Sequence, residues 1–595
     1  MILIQGKVKM KLINNLINKE NTLKHLLLRF ITSIALAVSY STSASDTLQC
    51  VSDSYIFPDK KVSSLPNPAK TGKYKYDVMT YGEKPYLFSI DKPDLVAPDV
   101  TLPNFLADHS KSQGYKYDAY HRFDSKNLPL EAKVWLPQTS EKRPVIFLVH
   151  GNSDPGFDYL GEMFSSRGFF VVQVDQTYLN GLWGENGARG WILLEHLKLL
   201  SVWNNQHDHR FYNKLDLENV ALIGMSRGGE AVALASTFNS LKTIPNSEKP
   251  TEFGFGIKSV VALAPMDGQY QHAHGKNILK NTNYLVLQGG HDADVYQFLG
   301  SQQWQRVEYD DGKNYVNHSI YIHKANHINF NQDMSDDFHW GGSKNFYKKL
   351  LTAKQQEQLT KVFVSAFIEL TLSGKKEYQD ILRHPPNSEF GLPDDIYVSR
   401  FSTSTFWSIE NFESFKTENK NFQIRVDSQN EPVSFSIEKE RLRGGVDTPN
   451  KVLKLKLEEQ VATTLQLALP TFHVIAEDKQ SLTVSIAIET SEEHEACRPY
   501  NLASDIKIEF LNKNGVVISK KTKSTASISP LLVSDYSELE NEDVKFAPTE
   551  PTLQTVVFPI EFLSEVKQEE SLILNITFTP RHDISVILDD IGIIH

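Results

Sequence analysis

The sequence predicts an α/β domain built on a doubly wound, mostly parallel sheet, followed by an all-β sandwich. Between residues 126 and 385, short apolar runs alternate with amphipathic segments of helical length. Several of these runs, such as PVIFLVHG (144–151), are almost unbroken, as is usual for strands that are covered on both faces. Beyond residue 397 the runs are short, often alternate with polar residues and have no strong helix between them, which is typical of an antiparallel sandwich.

Composition sets the broad class of the protein. A chain of 595 residues is longer than one hydrophobic core normally serves, so two or three domains are expected. The contents of 40% hydrophobic and 23% charged residues are those of an ordinary soluble globular protein. The formal net charge of -11 argues against a nucleic-acid-binding protein, because such proteins usually carry a basic face.

The first 44 residues have the order of a secretory signal peptide. A lysine-rich leader precedes the apolar run FITSIALAV (30–38), and the small residues Thr42, Ser43 and Ala44 offer a cleavage site. Met10 is an alternative start that would shorten the leader. A run this short cannot cross a bilayer as a helix. We therefore expect a secreted or periplasmic protein with no transmembrane segment in the mature chain.

Residues 45–125 are rich in Pro, Lys, Asp and Tyr and show little periodicity. We interpret them as an N-terminal extension that packs on the α/β domain. The chain has two cysteines, Cys50 and Cys497. In an exported protein these two can form one disulfide between the N-terminal and C-terminal regions, and two unpaired buried thiols are the alternative.

Each predicted element of the α/β domain (126–385) rests on its own pattern. Helices are predicted where apolar residues recur at helical spacing, and strands where they form short runs. The predicted strands are 132–137, 144–151, 169–175, 219–224, 256–265, 283–290 and 318–327, and the predicted helices are 157–168, 185–205 and 354–372. A linker rich in Pro, Gly and Asp (386–396) then leads to the predicted sandwich (397–595).

The stretch VALIGMSRGGEAVALAS (220–236) contains the strongest chemical signal. Ser226 stands between Gly224 and Gly228, after an apolar strand and before a helical pattern. A strand–turn–helix of this kind is what a nucleophile elbow requires. Because an unassisted hydroxyl is a poor nucleophile, the serine also needs a base, a carboxylate that orients the base, and N–H groups for the oxyanion. The alternative is an ordinary serine in a glycine-rich turn.

Over about 250 residues the chain resembles the α/β-hydrolase family, whose parts follow the order oxyanion loop, serine, acid and histidine. His150-Gly151-Asn152 looks like the oxyanion loop, and the resemblance implies that the Asn152 and Arg227 amides stabilise the oxyanion. GGHDADV (289–295) resembles the Gly-x-x-Asp-x-x-Val acid turn and implies Asp292 as the acid. KANHINF (324–330) implies His327 as the base, with Ser226 as the nucleophile.

Neighbouring residues leave alternatives open for two of these roles. Asp294 and Asp267 are alternatives to Asp292 as the acid. The alternatives to His327 are His318, His323 and His339, of which His323 lies inside a strand pattern that favours a structural role.

These residues predict an exported serine hydrolase that cleaves carboxylic esters through an acyl-enzyme. The core resembles dienelactone-hydrolase-like and polyester-hydrolase-like esterases, which have little lid. An exopeptidase-like hydrolase with a C-terminal jelly roll is an alternative, although Arg227 stands where that group usually has an aromatic residue. A second alternative is a non-catalytic surface-binding protein on a hydrolase scaffold. Catalysis needs no metal or organic cofactor, and the expected substrate is a small-molecule or polymeric ester. Its pocket is expected to be shaped by loops 176–190 and 268–282.

The C-terminal region resembles galactose-binding-like jelly rolls and carbohydrate-binding modules. The resemblance rests on FWSIENFES (406–414) and ISVILDDIGII (584–594), which would form adjacent first and last strands. It implies that Glu413 and Asp589 can hold a structural calcium ion, because hard oxygen ligands suit that ion, and two exposed acids are the alternative. Trp407 is the only tryptophan of this region. The region could contact carbohydrate or a cell surface, or it could be a purely structural module; the sequence leaves both roles open.

Overall fold

The computed structural model describes most of the chain from residue 65 onward. The signal-peptide prediction (1–44), Cys50, Cys497 and His339 lie outside the described residues. The described residues are 65–82, 93–106, 123, 125–182, 184–270, 276–334, 350–386, 389–415, 422–426, 434–469, 480–489, 505–519, 522, 524, 528–529, 532–533, 549–550, 552–562 and 571–594.

The larger part of the described chain is built on a ten-stranded sheet in the order β12-β11-β9-β7-β6-β4-β5-β3-β1-β2. Two short strands, β8 and β10, pair with each other outside it. The strands are β1 Tyr76–Gly82, β2 Leu95–Val96, β3 Glu131–Pro137, β4 Arg143–Val149, β5 Phe170–Asp175, β6 Leu215–Met225, β7 Ile257–Leu263, β8 Leu279–Lys280, β9 Asn283–Gly289, β10 Val307–Glu308, β11 Val316–Ile322 and β12 Tyr397–Thr403.

The centre of this sheet is parallel and its flanks are partly antiparallel. The strands from β11 through β9, β7, β6 and β4 to β5 pair in parallel, whereas β12 pairs antiparallel with β11 and β3 pairs antiparallel with β5. The central strands are buried along nearly their whole length, as their unbroken apolar sequences predict. The prediction of a mixed α/β architecture with a mostly parallel sheet is confirmed.

Helices cover both faces of the sheet. Side chains of α2 and α3 belong to one hydrophobic cluster and those of α1 and α5 to another, and each cluster includes alternate residues of the central strands. The helix α5 begins with a capping box in which Thr352 and Gln355 exchange hydrogen bonds. The helices are α1 Asp158–Ser166, α2 Asn186–Asn205, α3 Arg227–Asn239, α4 Gly300–Trp304, α5 Ala353–Thr371 and α6 Gln379–Arg383.

Strands at both sides of the sheet come from segments that the sequence analysis placed outside the α/β domain. The predicted N-terminal extension supplies β1, which pairs antiparallel with β3, so this segment extends the sheet as well as packing on it. The strand β12 begins where the sandwich was predicted to begin, at residue 397, yet it pairs along its whole length with β11. The large sheet therefore continues to Thr403, because the strand that follows the linker pairs with the outer edge of β11.

The C-terminal region contains separate antiparallel sheets. One has the order β15-β16-β24-β18-β22, with β13 also paired to β24, a second has the order β14-β17-β23-β19, and β20 and β21 pair in a third. Inward-facing residues of the first two sheets form one hydrophobic cluster. The strands are β13 Trp407–Glu410, β14 Phe422–Val426, β15 Phe435–Leu442, β16 Val446–Leu457, β17 Thr463–Leu469, β18 Ser481–Glu489, β19 Ile506–Leu511, β20 Leu532–Val533, β21 Thr549–Glu550, β22 Gln554–Pro559, β23 Leu572–Phe578 and β24 Ile584–Ile594. The first and last strands, β13 and β24, are neighbours.

None of the helices in the described ranges is both long enough and apolar enough to cross a membrane.

Candidate active site

The candidate site lies at the carboxyl edge of the parallel strands. The strand β4 is flanked by β5 on one side and β6 on the other, and the helices that follow β4 and β6 pack on opposite faces of the sheet. Loops after such neighbouring strands diverge and leave a crevice, where open α/β sheets bind their ligands. The segments that follow β4, β6, β9 and β11 carry the residues that the sequence favoured as nucleophile, acid, base and oxyanion donors.

Ser226 occupies a strained turn between β6 and α3. Its backbone has φ 55° and ψ -123°, a left-handed conformation that L-residues other than glycine seldom adopt. The Ser226 N–H donates to the Leu263 carbonyl at 2.9 Å, and the Ser226 carbonyl accepts from Met266 at 3.0 Å. These two bonds tie the turn to the chain around the end of β7, so the surrounding backbone holds the serine in its unfavourable conformation.

The turn is tight enough to require glycine beside the serine. A Cβ added to Gly228 would lie 2.4 Å from the Val149 carbonyl oxygen, which is backbone and has little room to move. This close approach brings the first turn of α3 against the end of β4. Arg227 is the first residue of α3, where the N–H groups and the dipole of a helix favour negative charge.

Asp292 and His327 are in direct contact. The Asp292 Oδ2 atom lies 2.8 Å from Nδ1 of His327, and both side chains are almost fully buried. The other carboxylate oxygen, Oδ1, accepts hydrogen bonds from the N–H groups of Asp294 and Val295, at 3.0 and 2.7 Å. An Nδ1–H that donates to Asp292 leaves Nε2 as the basic nitrogen of a neutral His327 ring.

The two alternative acids have different surroundings. The Asp294 Oδ2 atom lies 3.4 Å from Nε2 of His327, on the opposite side of the ring from Asp292, and its side chain is 48% exposed. Asp267 is instead paired with Arg306. Of the three candidate acids, two therefore contact the histidine, and they do so through different nitrogens.

The alternative histidines within the described residues are buried structural side chains. Burial, reinforced by the charge of Arg383, lowers the pKa of His318 to about 3. Burial likewise lowers the pKa of His323 well below its ordinary value, with smaller contributions from the nearby His291 and Lys324. Both rings are therefore neutral at physiological pH, and His318 lies within β11.

The segment His150–Asn152 connects the loops around the serine. Burial and the charge of Arg189 lower the pKa of His150 to about 3, and its Nε2 accepts a hydrogen bond from the Gln176 N–H at 2.8 Å. The Asn152 Oδ1 atom accepts from the Gly181 N–H at 2.6 Å and from the Arg227 guanidinium at 3.2 Å. The neutral His150 and the amide of Asn152 thus fix the segment after β5 against the segment after β4.

Arg227 and Arg189 place positive charge beside these loops. The Arg227 guanidinium donates to the Leu182 carbonyl at 2.9 Å, in addition to Asn152. Arg189 is fully buried and donates to Asn180 at 2.9 Å. Burial, with repulsion from Arg227, lowers the pKa of Arg189 to about 9, so the side chain stays charged at neutral pH. A positive potential around these loops would favour negative charge that forms beside them.

Glu230, on the first turn of α3, is a buried acid that the sequence did not single out. It accepts hydrogen bonds from Asn186 and from the N–H groups of Gly268 and Tyr270. Burial, with the neighbouring charge of Asp267, raises its pKa to about 7. This carboxylate joins the start of α2, the start of α3 and the segment after β7. Its position four residues after Ser226 is the only sequence signal that could have found it.

In the C-terminal region Glu413 and Asp589 have separate partners. Asp589 is buried, and its Oδ2 accepts hydrogen bonds from Arg400 at 2.7 Å and from Asn450 at 2.8 Å. The Glu413 Oε1 atom accepts from the Lys451 N–H at 2.8 Å. Within the described ranges no cluster of three or more His, Cys, Asp and Glu side chains is arranged to hold a metal ion. The calcium site and the carbohydrate contact stay predictions.

Comparison with known proteins gives no family to which the chain can be assigned. No protein-family model matches the sequence, and no curated protein matches it significantly. Any function has to be argued from the chemistry of the site.

Proposed function

We propose that this chain is a serine hydrolase of the α/β-hydrolase type that cleaves carboxylic esters. The observation that carries the proposal is the combination of a strained Ser226 elbow with the 2.8 Å contact between Asp292 and His327. A serine held at φ 55° between strand and helix, and a buried histidine oriented by a buried carboxylate, are the parts that nucleophilic acyl transfer needs.

In the proposed mechanism the Ser226 Oγ attacks the ester carbonyl carbon while Nε2 of His327 takes the hydroxyl proton. Asp292 keeps the ring in the tautomer with the proton on Nδ1 and stabilises the imidazolium that forms. The carbonyl oxygen becomes an oxyanion, which the backbone amides of Asn152 and Arg227 stabilise at the start of α3. His327 then returns the proton to the departing alkoxide, which leaves as an alcohol.

The second half of the reaction repeats these roles with water. His327 removes a proton from a water molecule, which attacks the acyl carbon bound to Ser226, and the same amides stabilise the second oxyanion. Collapse of this intermediate releases the carboxylic acid and returns the proton to Ser226. The chemistry uses only side chains and amides of this chain, and the predicted export would give the enzyme access to extracellular or periplasmic esters.

The test is hydrolysis of p-nitrophenyl acetate and butyrate by the purified protein. We expect turnover that Ser226→Ala lowers by at least about 10³-fold, since the nucleophile is lost. Ser240→Ala is the matched control, because Ser240 follows the last residue of the same helix and its hydroxyl donates to the Thr237 carbonyl. A fluorophosphonate probe should label Ser226 in the wild-type protein.

Each negative result has a distinct meaning. Activity on aminoacyl-proline anilides without activity on simple esters would replace the esterase by the exopeptidase-like alternative. Absence of turnover together with absence of labelling at Ser226 would leave the non-catalytic binding protein. Equal turnover by the wild type and Ser226→Ala would overturn the assignment of the nucleophile.

A further inference from the structure

The acid loop, residues 290–298, follows β9 and carries Asp292. Its first residues are held to the chain after β11: the Gly290 N–H donates to the Ile322 carbonyl at 2.8 Å, and the His291 N–H donates to the Ala325 carbonyl at 2.9 Å. The two N–H groups that hold the Asp292 carboxylate also belong to this loop. The orientation of Asp292 therefore depends on the conformation of the acid loop as a whole.

Arg443 reaches the acid loop from the antiparallel region. It lies in the turn between β15 and β16, and its side chain is almost fully buried. Its Nη1 donates to the Gly290 carbonyl and its Nε to the Tyr296 carbonyl, both at 2.8 Å. The guanidinium carbon also lies 4.0 Å from the centre of the Phe298 ring. One side chain thus contacts the beginning, the later part and the end of the acid loop.

The chemistry of arginine suits this position. A guanidinium group presents several N–H donors in a rigid planar fork, so it can hold two carbonyl oxygens at a fixed separation and stack on an aromatic ring at once. A lysine ammonium offers the same charge without that geometry. Because the acid loop is bridged between residues 290 and 296, the intervening N–H groups that bind Asp292 are constrained from both sides.

Other contacts anchor the same junction. Glu440, on β15, accepts a hydrogen bond from Gln305 just after α4. Leu532, on β20, packs in a buried cluster with Phe298 and Tyr321. Arg443 therefore projects from a hairpin that is itself fixed against the large sheet, which lets it act as a rigid support.

We propose that Arg443 is a positioning residue that holds the acid loop so that Asp292 orients His327. The antiparallel region thereby contributes to catalysis without touching the substrate. The inference rests on the proposed hydrolase function, since Asp292 and His327 have their roles there. It assigns to the C-terminal region a task other than carbohydrate binding or calcium binding.

The test compares Arg443→Met, Arg443→Lys and Arg441→Met in the full-length protein. Methionine keeps an apolar stem against Phe298 and removes both donors, and lysine keeps the charge. Arg441 is the matched control: it is two residues away in the same hairpin, 69% exposed and paired with Asp447. We expect Arg443→Met to lower kcat about ten- to hundredfold with KM within about threefold, because a small displacement of a catalytic group costs rate more than binding. Arg443→Lys should recover part of kcat, and Arg441→Met should match the wild type.

A second measurement reports on the histidine without turnover. A proton shared between Asp292 and His327 should give a low-field proton resonance in the NMR spectrum, identified by its absence in His327→Ala. We expect Arg443→Met to shift or abolish this resonance at temperatures well below its unfolding transition, and Arg441→Met to retain it. General loosening of the fold would instead lower the melting temperature with the resonance unchanged.

The outcomes separate the two proposals. Wild-type kcat and an unchanged low-field resonance in Arg443→Met would overturn the positioning role while ester turnover by the wild type stood. Loss of the resonance in Arg443→Met, together with a wild-type protein that hydrolyses no ester, would support the positioning role and overturn the proposed ester hydrolysis. An equal fall in kcat in Arg443→Met and Arg441→Met would also count against the positioning role of Arg443.

Discussion

Gly151 lies directly against the side chain of Ser226: a Cβ built on Gly151 would be 2.6 Å from the Ser226 Cβ and 3.2 Å from its Oγ. The loop after β4 and the elbow after β6 are therefore in such close contact here that a methyl group on Gly151 cannot be accommodated without movement. In the proposed mechanism this contact also fixes the distance between the oxyanion amides and the nucleophile. Because this contact is tight, a substitution at Gly151 tests the positions of both the nucleophile and the oxyanion loop.

We predict that Gly151→Ala lowers kcat for p-nitrophenyl esters by about 10²-fold or more, because the added methyl displaces the Ser226 hydroxyl or the loop that carries Asn152. Overpacking should also destabilise the fold by about 1–3 kcal/mol. Steady-state kinetics and denaturant unfolding measure the two effects. Gly312→Ala is the control, because Gly312 has φ +73° and open space around it, so it tests backbone strain alone. Wild-type kcat in Gly151→Ala would contradict the proposed arrangement.

A second prediction separates Asp292 from Asp294. Asp292→Asn should lower kcat by about 10⁴-fold, because an amide at this position favours the wrong tautomer of His327. Asp294→Asn should change kcat by less than about tenfold, since Asp294 lies on the Nε2 side of the ring and is half exposed. Steady-state ester hydrolysis by the two isosteric variants measures the difference.

The pH profile of Asp294→Asn gives the control. A carboxylate near Nε2 stabilises the protonated ring, so its removal should move the acidic limb of kcat/KM toward lower pH. A larger loss of kcat in Asp294→Asn than in Asp292→Asn would reverse the assignment of the acid.

The sequence predicted the central strands well, because a strand that is buried on both faces has an almost unbroken run of apolar residues. The predicted strand 219–224 corresponds to β6, Leu215–Met225, and the prediction missed a first part in which Asp216, Leu217 and Glu218 are partly or fully exposed. The strand β1 has no such apolar run, because several of its residues face solvent, and its partner β3 is distant in the sequence. The segment that forms β12 was included in the predicted sandwich (397–595) without being predicted as a strand, since nothing local says which sheet it will join.

The candidate site likewise contains residues that the sequence predicted and residues that it did not. Motif order predicted where to look for the serine, acid and histidine, because each follows a buried strand and so reaches the same edge of the sheet. The buried charged residues Arg189 and Arg443 could not be predicted. Both stand in ordinary surroundings in the sequence, and their burial arises only when distant segments pack together. The roles of the predicted catalytic residues stay predictions until activity is measured.

Glu230 carries a third prediction, on the pH dependence of stability. Burial and the charge of Asp267 raise its pKa from 4.5 to about 7, so the folded state binds the proton more tightly than the unfolded state. Stability from this group is fully present below pH 4.5 and is lost as pH rises toward about 7, by roughly 3 kcal/mol at most. Glu230→Gln, which is neutral throughout, should remove this loss. Denaturant unfolding of both proteins from about pH 4.5 to 8 measures the difference.

Glu369 provides a control of opposite sign. Burial alone would raise its pKa, but hydrogen bonds and ion pairs with Lys375 and Arg167 lower it overall. Its contribution is therefore present above the unfolded pKa and lost as pH falls, so Glu369→Gln should cost more stability near pH 7 than near pH 4.5. A difference between wild type and Glu230→Gln that is constant with pH would contradict the assignment to Glu230.

The fourth prediction concerns Arg400, which joins the large sheet to the antiparallel region. Arg400 lies on β12, and its guanidinium contacts Asp589 at 2.7 Å and Asp590 at 2.9 Å, both on β24. Burial alone would lower the pKa of Arg400, but the charges of Asp590, Glu440 and Asp589 raise it above its usual value. Arg400→Met should destabilise the fold by about 3–5 kcal/mol, because it leaves the buried Asp589 carboxylate without its cation.

A double-mutant cycle distinguishes this cause from simple loss of packing. If the cost of Arg400→Met comes from an uncompensated charge, Asp589→Asn in the same chain should recover a large part of it, since the neutral amide no longer needs a cation. The exposed pair of Arg441 and Asp447 gives the comparison, and Arg441→Met should change stability by less than about 1 kcal/mol. Additive losses in the Arg400→Met/Asp589→Asn double variant would show instead that the two side chains act independently.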